Sequence, residues 1–377
     1  MAQVTLGDVA IESRETYKGD KSGMPIVGLE HLIPEDVVLS LWDRDKENTF
    51  TKMFRKGDML FGRRRAYLKK AAQAPFDGIC SGDITVIRAK EDRLIPELLP
   101  FIIQNDVLFD FAVGKSAGSL SPRVKWENLK NYKFELPPLP EQKKLAEALW
   151  AINDTLQAYQ KLLIETDELV KSQFIEMFGD EAKQVRLDEL CLHFGDGDWI
   201  ESKDQSEEGI RLIQTGNVGN GEYKDKDDKA RYISEETFAR LGCTEVFPGD
   251  ILISRLPDPI GRACIVPEMP KSITAVDCTI VRLKDEILST FFVNFTKTPM
   301  YTMQIDSFTT GSTRKRISRA NLGSIMVPVP DLARQERFVL IAEQSDKSKF
   351  ALQNAISAAR ETKRSIIADA LGIKGKE

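Results

Sequence analysis

The sequence has few of the residues and motifs on which most catalytic sites depend. Its only histidines are His31 and His193, and neither lies in an H-E-x-x-H pattern or beside cysteines or carboxylates at metal-ligand spacing. No G-x-x-x-x-G-K-[ST] nucleotide loop and no G-x-S-x-G nucleophile motif occurs. The glycine-rich run 216–221 lacks the G-x-G-x-x-G spacing and is typical of an ordinary hairpin or loop. An enzyme is therefore the least favoured class.

Long hydrophobic runs and closely paired cysteines are also absent. No apolar run approaches 18 residues, and the first ten residues lack the basic and apolar blocks of a signal peptide, so we expect a cytoplasmic protein with no membrane partner. The five cysteines show no C-x-x-C spacing. We expect them to be reduced thiols packed as small hydrophobic side chains, and we expect no zinc site.

The size and charge of the chain leave a nucleic-acid partner open. With 377 residues, 42% of them hydrophobic and 29% charged, the chain is long enough for two or three globular domains. The net charge is −5, but residues 52–70 contain eight basic residues and one acidic residue. Because nucleic-acid binding depends on the local electrostatic field, this basic segment is more informative than the net charge of the chain.

The segment 136–180 has the pattern of a long coiled-coil helix. Its apolar residues form two seven-residue series, which are Leu145, Ile152 and Tyr159, and Leu149, Leu156, Leu163, Val170 and Met177. Pro137, Pro138 and Pro140 mark its start, and Gly179 with Asp180 marks its end. About 40 residues at 1.5 Å per residue predict a rod of about 60 Å.

A second helical segment follows residue 331 and offers a partner for the first. Its apolar residues recur at helical spacing, at Leu352, Ile356, Ala359, Ile366 and Ala370. Small residues such as Ser345 and Ala355 stand where leucine is expected, which favours a tight helix pair. The alternative is two ordinary amphipathic surface helices.

The two halves of the chain repeat one order of elements. Residues 4–9 match 185–190, residues 56–60 match 248–252, and Gly118-Ser119 matches Gly311-Ser312, at offsets that drift from 181 to 193. The same alignment places His31 in the loop that matches Asn217, where we expect a structural or surface role. A smooth drift indicates an internal duplication whose loops have gained residues.

The duplication predicts the architecture. We expect an α+β fold with two α/β domains in tandem duplication, separated by two long antiparallel coiled-coil helices and related by a pseudo-twofold axis. The predicted boundaries are 1–138, 139–179, 180–330 and 331–377 for first domain, first helix, second domain and second helix. A parallel translation of one unit past the other is the alternative, and it matches the helix seams poorly.

Arginines that follow predicted strands are the first candidate nucleic-acid contacts. These are Arg63, Arg64 and Arg65, with Lys69 nearby, and Arg255 and Arg262 at the matching place in the second half. Because successive side chains on a strand point to opposite faces, at most two of residues 63–65 can face one partner. Arginine matches guanine or phosphate, but a solvated charged edge strand is the alternative.

Two glycine-serine loops are the second candidate. They combine small residues, hydroxyls and basic side chains, which suits a close approach to phosphate. The candidate residues are Lys115, Ser119 and Arg123 in the first loop and Ser312, Arg314, Lys315 and Arg316 in the second. Each loop alone fits a plain turn equally well. Their recurrence in both halves favours a contact.

Three motifs carry a family resemblance. They are Gly57-Asp58-Met59-Leu60, Gly249-Asp250-Ile251-Leu252 and, before the long helix, Leu136-Pro137-Pro138-Leu139-Pro140-Glu141-Gln142. In these motifs and their order, the chain resembles the specificity subunit of type I restriction-modification systems over nearly its whole length. The second half departs from the pattern, since it lacks the Glu-Gln pair and separates its prolines from Gln335.

The resemblance implies a non-catalytic chain with two target recognition domains that bind double-stranded DNA. Each domain is implied to enter the major groove, with half-sites about one helical turn apart. The implied partners are two methyltransferase subunits and, for cleavage, two restriction subunits. S-adenosylmethionine, ATP and Mg²⁺ would belong to those partners, and the target adenine would be flipped into the methyltransferase. The rival hypothesis is a protein-interaction scaffold that makes no DNA contact.

Overall fold

The computed structural model describes residues 2–311 and 315–373. Packing divides the chain into two units, one formed by Met1–Lys161 with Leu352–Glu377 and the other by Leu162–Ala351. Each long helix therefore contributes one part to each unit, whereas the predicted domain boundaries keep each helix whole. Among the described residues, no helix is both long enough and apolar enough to cross a membrane.

The first globule combines short strands with short helices, and a long helix follows it. In chain order the elements are β1 (Ala2–Thr5), α1 (Leu6–Val9), β2 (Ala10–Glu12), β3 (Ile26–Val27), β4 (Lys52–Phe54), β5 (Met59–Gly62), β6 (Ala71–Gln73), β7 (Gly78–Cys80), β8 (Ile84–Ala89), α2 (Leu99–Ile103), α3 (Asp106–Gly114), α4 (Trp126–Leu129), β9 (Lys133–Leu136) and α5 (Leu139–Phe178). Short 3₁₀ turns cover Leu29–His31, Ala66–Leu68 and Pro96–Leu98.

A four-stranded antiparallel sheet, in the order β2-β8-β5-β6, forms the centre of this globule. Strand β5 is buried on both faces because its side chains alternate between two cores. Met59 and Phe61 pack into the core shared with α2 and α3, while Leu60 packs into the core beside Phe54. The continuous apolar run of β5 follows from this double burial.

The second half repeats the order of elements. They are β10 (Gln184–Arg186), β11 (Cys191–Asp196), β12 (Ile210–Ile213), β13 (Tyr232–Ile233), α6 (Glu235–Leu241), β14 (Ile251–Ser254), β15 (Ala263–Ile265), β16 (Ser272–Thr274), β17 (Cys278–Leu283), α7 (Ser289–Phe295), α8 (Pro299–Phe308), α9 (Arg319–Gly323), β18 (Met326–Pro328) and α10 (Leu332–Ala370). Its four-stranded sheet has the order β11-β17-β14-β15, which corresponds strand for strand to the first. The predicted tandem duplication is confirmed.

The smaller sheets differ in one strand. In the first globule the parallel pair β3-β7 takes β4 as a third strand on the β7 side, while in the second the parallel pair β12-β16 takes β13 on the β12 side. In each half a further two-stranded sheet, β1-β9 or β10-β18, joins the first strand to the strand before the long helix. The beginning and the end of each half are thereby held together by strand pairing.

The apolar segment 94–111 does not form one continuous helix. The structure has a 3₁₀ turn and then two helices, α2 and α3, separated at Gln104 and Asn105. The Asn105 side chain accepts a hydrogen bond from the Leu108 amide at 2.8 Å and so caps α3. An asparagine that caps a helix ends the preceding one, because the two roles need different backbone angles.

The two long helices have the predicted length. Helix α5 has 40 residues and α10 has 39, which corresponds to about 60 Å each. On α5 the seam residues Leu149, Leu156 and Val170 are buried, and the other five are at least partly buried. The same face also buries Phe174, Phe178 and the polar Asn153, which the seven-residue pattern does not predict.

The helices pack in antiparallel fashion within each unit. In the first unit Leu149, in the first half of α5, shares a core with Ile367, near the end of α10. In the second unit Phe174 and Phe178, at the end of α5, share a core with Phe338, at the start of α10. Three ring contacts among these residues have centroids 5.1 to 5.8 Å apart. The antiparallel arrangement predicted from the sequence is confirmed.

A repeated ion pair anchors the glycine-aspartate motif of each half. Arg88 donates to both carboxylate oxygens of Asp58 at 2.7 and 2.8 Å, and Arg282 does the same to Asp250 at 2.8 and 2.7 Å. The preceding glycine has φ of 90° in both halves, a conformation that L side chains rarely adopt. The hydrogen bonds with Asp58 raise the pKa of Arg88. The motif therefore has a structural role.

The cysteines are all free thiols, as expected. Four are buried and Cys191 is partly buried. Burial raises the pKa of Cys80 to about 12 and that of Cys278 to about 11, which keeps both thiols protonated and unreactive near neutral pH.

Candidate nucleic-acid interface

In the first unit, the arginine run begins where β5 ends. The Arg63 amide donates to the Asp83 carbonyl at 3.0 Å, and the Arg63 carbonyl accepts from the Val124 amide at 2.9 Å. These bonds hold the backbone between two neighbouring segments. The Arg63 side chain is half-buried, and its Nε is buried without a hydrogen-bond partner in the described residues.

The next arginine, Arg64, and Arg123 from the glycine-serine loop converge on one carboxylate. Arg123 donates to both oxygens of Asp83 at 2.7 and 3.2 Å, and Arg64 Nη1 lies 3.7 Å from the same group. Arg64 also donates to the Ser121 hydroxyl. The hydrogen bond from Arg123 lowers the pKa of the Asp83 carboxyl. The strand end and the loop therefore form one connected surface.

The third arginine begins a turn that displays side chains to solvent. Arg65 and Lys69 both have left-handed backbone angles, with φ of 53° and 51°, and they flank the 3₁₀ turn Ala66–Leu68. Arg65, Tyr67 and Leu68 are exposed, while Lys69 pairs with Asp106. Within the described residues the Arg65 side chain makes no hydrogen bond or ion pair, so its guanidinium is available to a ligand.

The first glycine-serine loop is a closed hairpin. Ala117 and Arg123 exchange two backbone hydrogen bonds of 3.0 Å each, and Gly118 has φ of 113°. Ser119 is exposed, and Leu120 at the tip is 91% exposed. Lys115 is exposed beside the Phe111 ring, 5.9 Å from its centroid. A leucine in this position has no packing role within the unit.

The second unit contains an equivalent hairpin. Thr310 and Arg316 exchange two backbone hydrogen bonds of 3.0 Å each, and Gly311 has φ of 102°. Lys315 and Arg316 are exposed. Ser312 and Arg314, which were predicted as contacts, lie outside the described residues. The hairpin is joined to the end of β14, where the Ile317 amide donates to the Arg255 carbonyl at 3.3 Å.

The two arginines predicted beside this hairpin are buried. Arg262 is 9% exposed, and its guanidinium donates to four backbone carbonyls at 2.7 to 2.9 Å, those of Val218, Leu256, Pro259 and Thr215. The guanidinium thus fixes the loop 255–262 against the 3₁₀ turn Thr215–Asn217. Lys70 has the same place in the first unit and donates to the Leu29 carbonyl at 2.7 Å.

Arg255 is 4% exposed and donates to the Val276 carbonyl at 2.7 Å. Its Nη2 lies 3.3 Å from the Asp196 carboxylate, which also pairs with the half-exposed Arg319 at 3.7 Å. As positioned, Arg255 and Arg262 hold loops in place and do not present their charges to solvent. The exposed basic residues beside this hairpin include Lys315, Arg316 and Arg319.

Several exposed residues beside these loops were not predicted. They include Tyr67, Leu68, Leu120 and Arg319. The sequence contains a hint for Leu120, because a large apolar residue stands alone in a loop of glycine, serine and basic residues. Which of all these residues contact DNA stays a prediction.

One cluster, Glu30, His31 and Asp43, has the composition of a metal site but the wrong hydrogen bonds. The Gly28 amide donates to His31 Nδ1 at 2.9 Å, so neutral His31 carries its proton on Nε2, which faces Asp43 at 3.4 Å. A metal-bound histidine normally donates from its second nitrogen. At the matching place Asn217 Oδ1 accepts from the Gln214 amide at 2.9 Å, which supports the predicted structural role of His31.

Comparison with known proteins agrees with the duplicated architecture. The family model described as "Type I restriction modification DNA specificity domain" matches residues 1–166 and again residues 179–360. The specificity subunit of the type I restriction enzyme EcoDI from Escherichia coli is 29% identical over 148 residues, which is 38% of this chain. That match spans 33% of the curated relative's length.

Two solved structures have the same fold. A chain from a structure of complex assembly and conformational transition of the type I R-M system has a TM-score of 0.60 at 22% identity, covering 98% of this chain and 97% of that one. The type I S subunit from M. genitalium has a TM-score of 0.55 at 14% identity, covering 100% and 96%. At these identities the likeness concerns the fold alone. Because the family model covers both repeats and most of the sequence, the chain belongs to the type I restriction-modification DNA specificity family.

Proposed function

We propose that the chain is the sequence-reading subunit of a type I restriction-modification complex and binds a bipartite DNA target, with one half-site for each recognition domain. The observation that carries the proposal is the repeated pairing of a strand end with a glycine hairpin, residues 62–69 with 117–123 and residues 254–262 with 310–316. Phosphate contacts position such a surface and base contacts give it specificity.

The two surfaces carry different side chains, which is what a target with two unlike halves requires. The first presents Arg65, Tyr67, Lys115 and Leu120, and the second presents Lys315 and Arg316 beside Arg319. Most other basic residues of the segment 52–70 are engaged by acceptors within the unit, as Arg55 is by Glu15 and Asp77. Arg65 is therefore the strongest candidate for a DNA contact in that segment.

The long helices offer a surface for protein partners. In the second unit seven large apolar side chains on α5 and α10 are exposed to solvent. They are Leu162, Ile164, Leu169, Ile175, Leu332, Leu340 and Phe350. We assign this surface to the methyltransferase subunits, two for each chain, with two restriction subunits added where the system cleaves DNA. On this proposal the chain is cytoplasmic and non-catalytic, and S-adenosylmethionine, ATP and Mg²⁺ bind to the partners.

The alternative is a protein-interaction scaffold with no DNA contact. Exposed helical leucines fit both functions, but an exposed arginine and leucine on conformationally restricted loops favour a nucleic-acid ligand. Electrophoretic mobility of DNA with the complex reconstituted from this chain and its methyltransferase tests the choice. The proposal expects a shift with this chain that the methyltransferase alone does not give, and the scaffold expects none.

A further inference from the structure

A cavity of about 440 Å³ lies in the first unit, beside the two long helices. We call it the Asn153 cavity, and it is lined by residues from the segments 33–37, 104–109, 153–160 and 360–368 together with Lys69 and Ile373. Its apolar wall includes Phe109, Leu156 and Ile367. Pockets that hold small organic molecules have this size and combine apolar walls with fixed polar groups.

The first polar group without a partner is Asn153. It is 5% exposed and lies on the buried face of α5, where the helix pattern expects an apolar residue. Its amide nitrogen is buried and has no hydrogen-bond partner in the described residues. Leaving such a group unpaired costs about 1–3 kcal/mol. The terminal torsion of asparagine is broad, so the amide can turn toward a ligand at little cost.

The second polar group is the Lys363 ammonium, which also lines the cavity. Burial lowers the pKa of Lys363, and the charge of Glu35 opposes that effect. Glu35 is already shared by Arg360 at 3.5 Å and Arg364 at 3.6 Å. Among the described residues the ammonium therefore lacks an acceptor of its own, so the cavity contains a positive charge and an amide that are both without partners.

The second unit fills the equivalent place with its own ion pairs. The repeat offset of 193 aligns Asn153 with Asp346, Leu156 with Lys349 and Arg360 with Asp167. There the Lys349 ammonium lies 2.7 Å from the carboxylates of both Asp346 and Asp167. Lys349, Asp346 and Asp167 thus satisfy one another. The unsatisfied groups of the first unit are thus a departure from the repeat and not a requirement of the fold.

We propose that the Asn153 cavity binds a small organic monocarboxylate. The carboxylate accepts hydrogen bonds from the Lys363 ammonium and the Asn153 amide, and the apolar group packs on Phe109, Leu156 and Ile367. A carboxylate supplies the two acceptors and the negative charge that the second unit obtains from Asp346 and Asp167. An apolar body matches the apolar part of the wall, where a further charged group would be desolvated without compensation.

Calorimetric titration of the full chain, in complex with its methyltransferase, with octanoate and with octanamide tests this site. These two probes share an eight-carbon chain and differ in charge. We expect octanoate to bind at least tenfold more tightly than octanamide. Equal affinity for the two probes, or no binding of octanoate, overturns the proposal.

Two variants and a control locate the binding. Lys363→Gln should remove the preference for octanoate, and Asn153→Asp should weaken octanoate at least tenfold by adding a like charge. Asp is the residue at the equivalent position of the second unit, so this variant should fold, which circular dichroism checks. Lys144→Gln, an exposed change on α5, should leave both affinities unaltered. Octanoate binding that survives Lys363→Gln and Asn153→Asp in folded protein contradicts the assignment.

Discussion

Gln142 and Gln335 lie at equivalent positions 193 residues apart, and their side chains make the same three hydrogen bonds. Each is buried at the start of a long helix, with exposures of 1% and 0%. In both, the amide oxygen accepts from a backbone amide and the nitrogen donates to two carbonyls. The partners are Ile95, Arg93 and Pro137 for Gln142, and Leu288, Glu286 and Pro330 for Gln335. The glutamine thus ties each long helix to its own globule.

Replacing Gln142 by alanine should destabilise the first unit. The change leaves two carbonyls and one amide without hydrogen-bond partners in a buried place. Each unpaired group lowers the free energy of unfolding by about 1–3 kcal/mol. Urea unfolding followed by circular dichroism should show a lower midpoint, and Gln335→Ala should act similarly on the second unit. Gln353→Ala, an exposed change on α10, serves as control and should shift the midpoint little. Equal midpoints for Gln142→Ala and the control would show that the Gln142 hydrogen bonds do not stabilise the first unit.

Replacing Arg65 by alanine should weaken DNA binding without affecting the fold, because its side chain is exposed and has no partner among the described residues. If it reads a base, the loss should be about 1–3 kcal/mol and confined to one position of the target. If it binds phosphate, the slope of log affinity against log salt should fall by about 1. Fluorescence anisotropy of labelled DNA at several salt concentrations measures both. Unchanged affinity and slope would leave Arg65 as a solvated surface residue.

Replacing Arg262 by methionine should have the opposite effect to Arg65→Ala, because it should reduce stability and not the number of phosphate contacts. The variant removes four hydrogen bonds to the carbonyls that fix the loop 255–262, and hydrogen bonds from charged groups contribute about 1.5–3 kcal/mol each. We expect lower thermal stability and an unchanged salt slope for the DNA affinity that remains. A reduced slope in a fully stable variant would instead make Arg262 a phosphate contact.

The tie between Asp83 and Arg123 should depend on pH in the acid range. The hydrogen bond from Arg123 lowers the pKa of Asp83 below 3.8 in the folded chain, so its stabilisation is complete above that value and is lost as pH falls through the lowered pKa. Asp83→Asn should therefore destabilise the first unit at pH 7 and much less at pH 2. Thermal unfolding at both pH values measures the difference. A difference that stays constant with pH would exclude the ionised pair.

Leu120→Asp should weaken DNA binding and leave stability unchanged. The leucine is 91% exposed at the loop tip, so its loss removes no internal packing. A carboxylate at the same place would repel the phosphate backbone. The same anisotropy assay, with Leu120→Met as the matched apolar control, should show a loss of affinity for the aspartate variant alone. Equal affinity for both variants would place the tip of this loop away from the DNA.

The architecture could be predicted from the sequence because its causes are periodic or repeated. The two apolar series in α5 are longer than a globular helix requires, and the matching glycine-aspartate motifs fix the order of the strands. Competition between local interactions was harder to predict from the sequence. The apolar segment 94–111 is divided into two helices at Asn105, because a side-chain cap there outweighs the apolar pattern on either side.

The candidate interface was less predictable, because the aim of a side chain depends on contacts distant in sequence. Arg65 and Arg262 look alike in the chain, but one lies exposed on a left-handed turn and the other is buried among four carbonyls. Two of those carbonyls belong to Thr215 and Val218, which are far from Arg262 in sequence. The same applies to Asn153. Its surroundings in the cavity are formed by α10 and the loop 33–37, which are distant in sequence, so its lack of a hydrogen-bond partner could not be predicted.

The central claim is that each recognition domain determines one half of a divided DNA target. Its most direct test replaces residues 1–138 with the corresponding domain of another specificity subunit and maps the methylated sequence by single-molecule sequencing of host DNA. The account predicts a new sequence in one half of the target, with the other half and the spacing between them unchanged. A change in both halves, or no change in either, would contradict it.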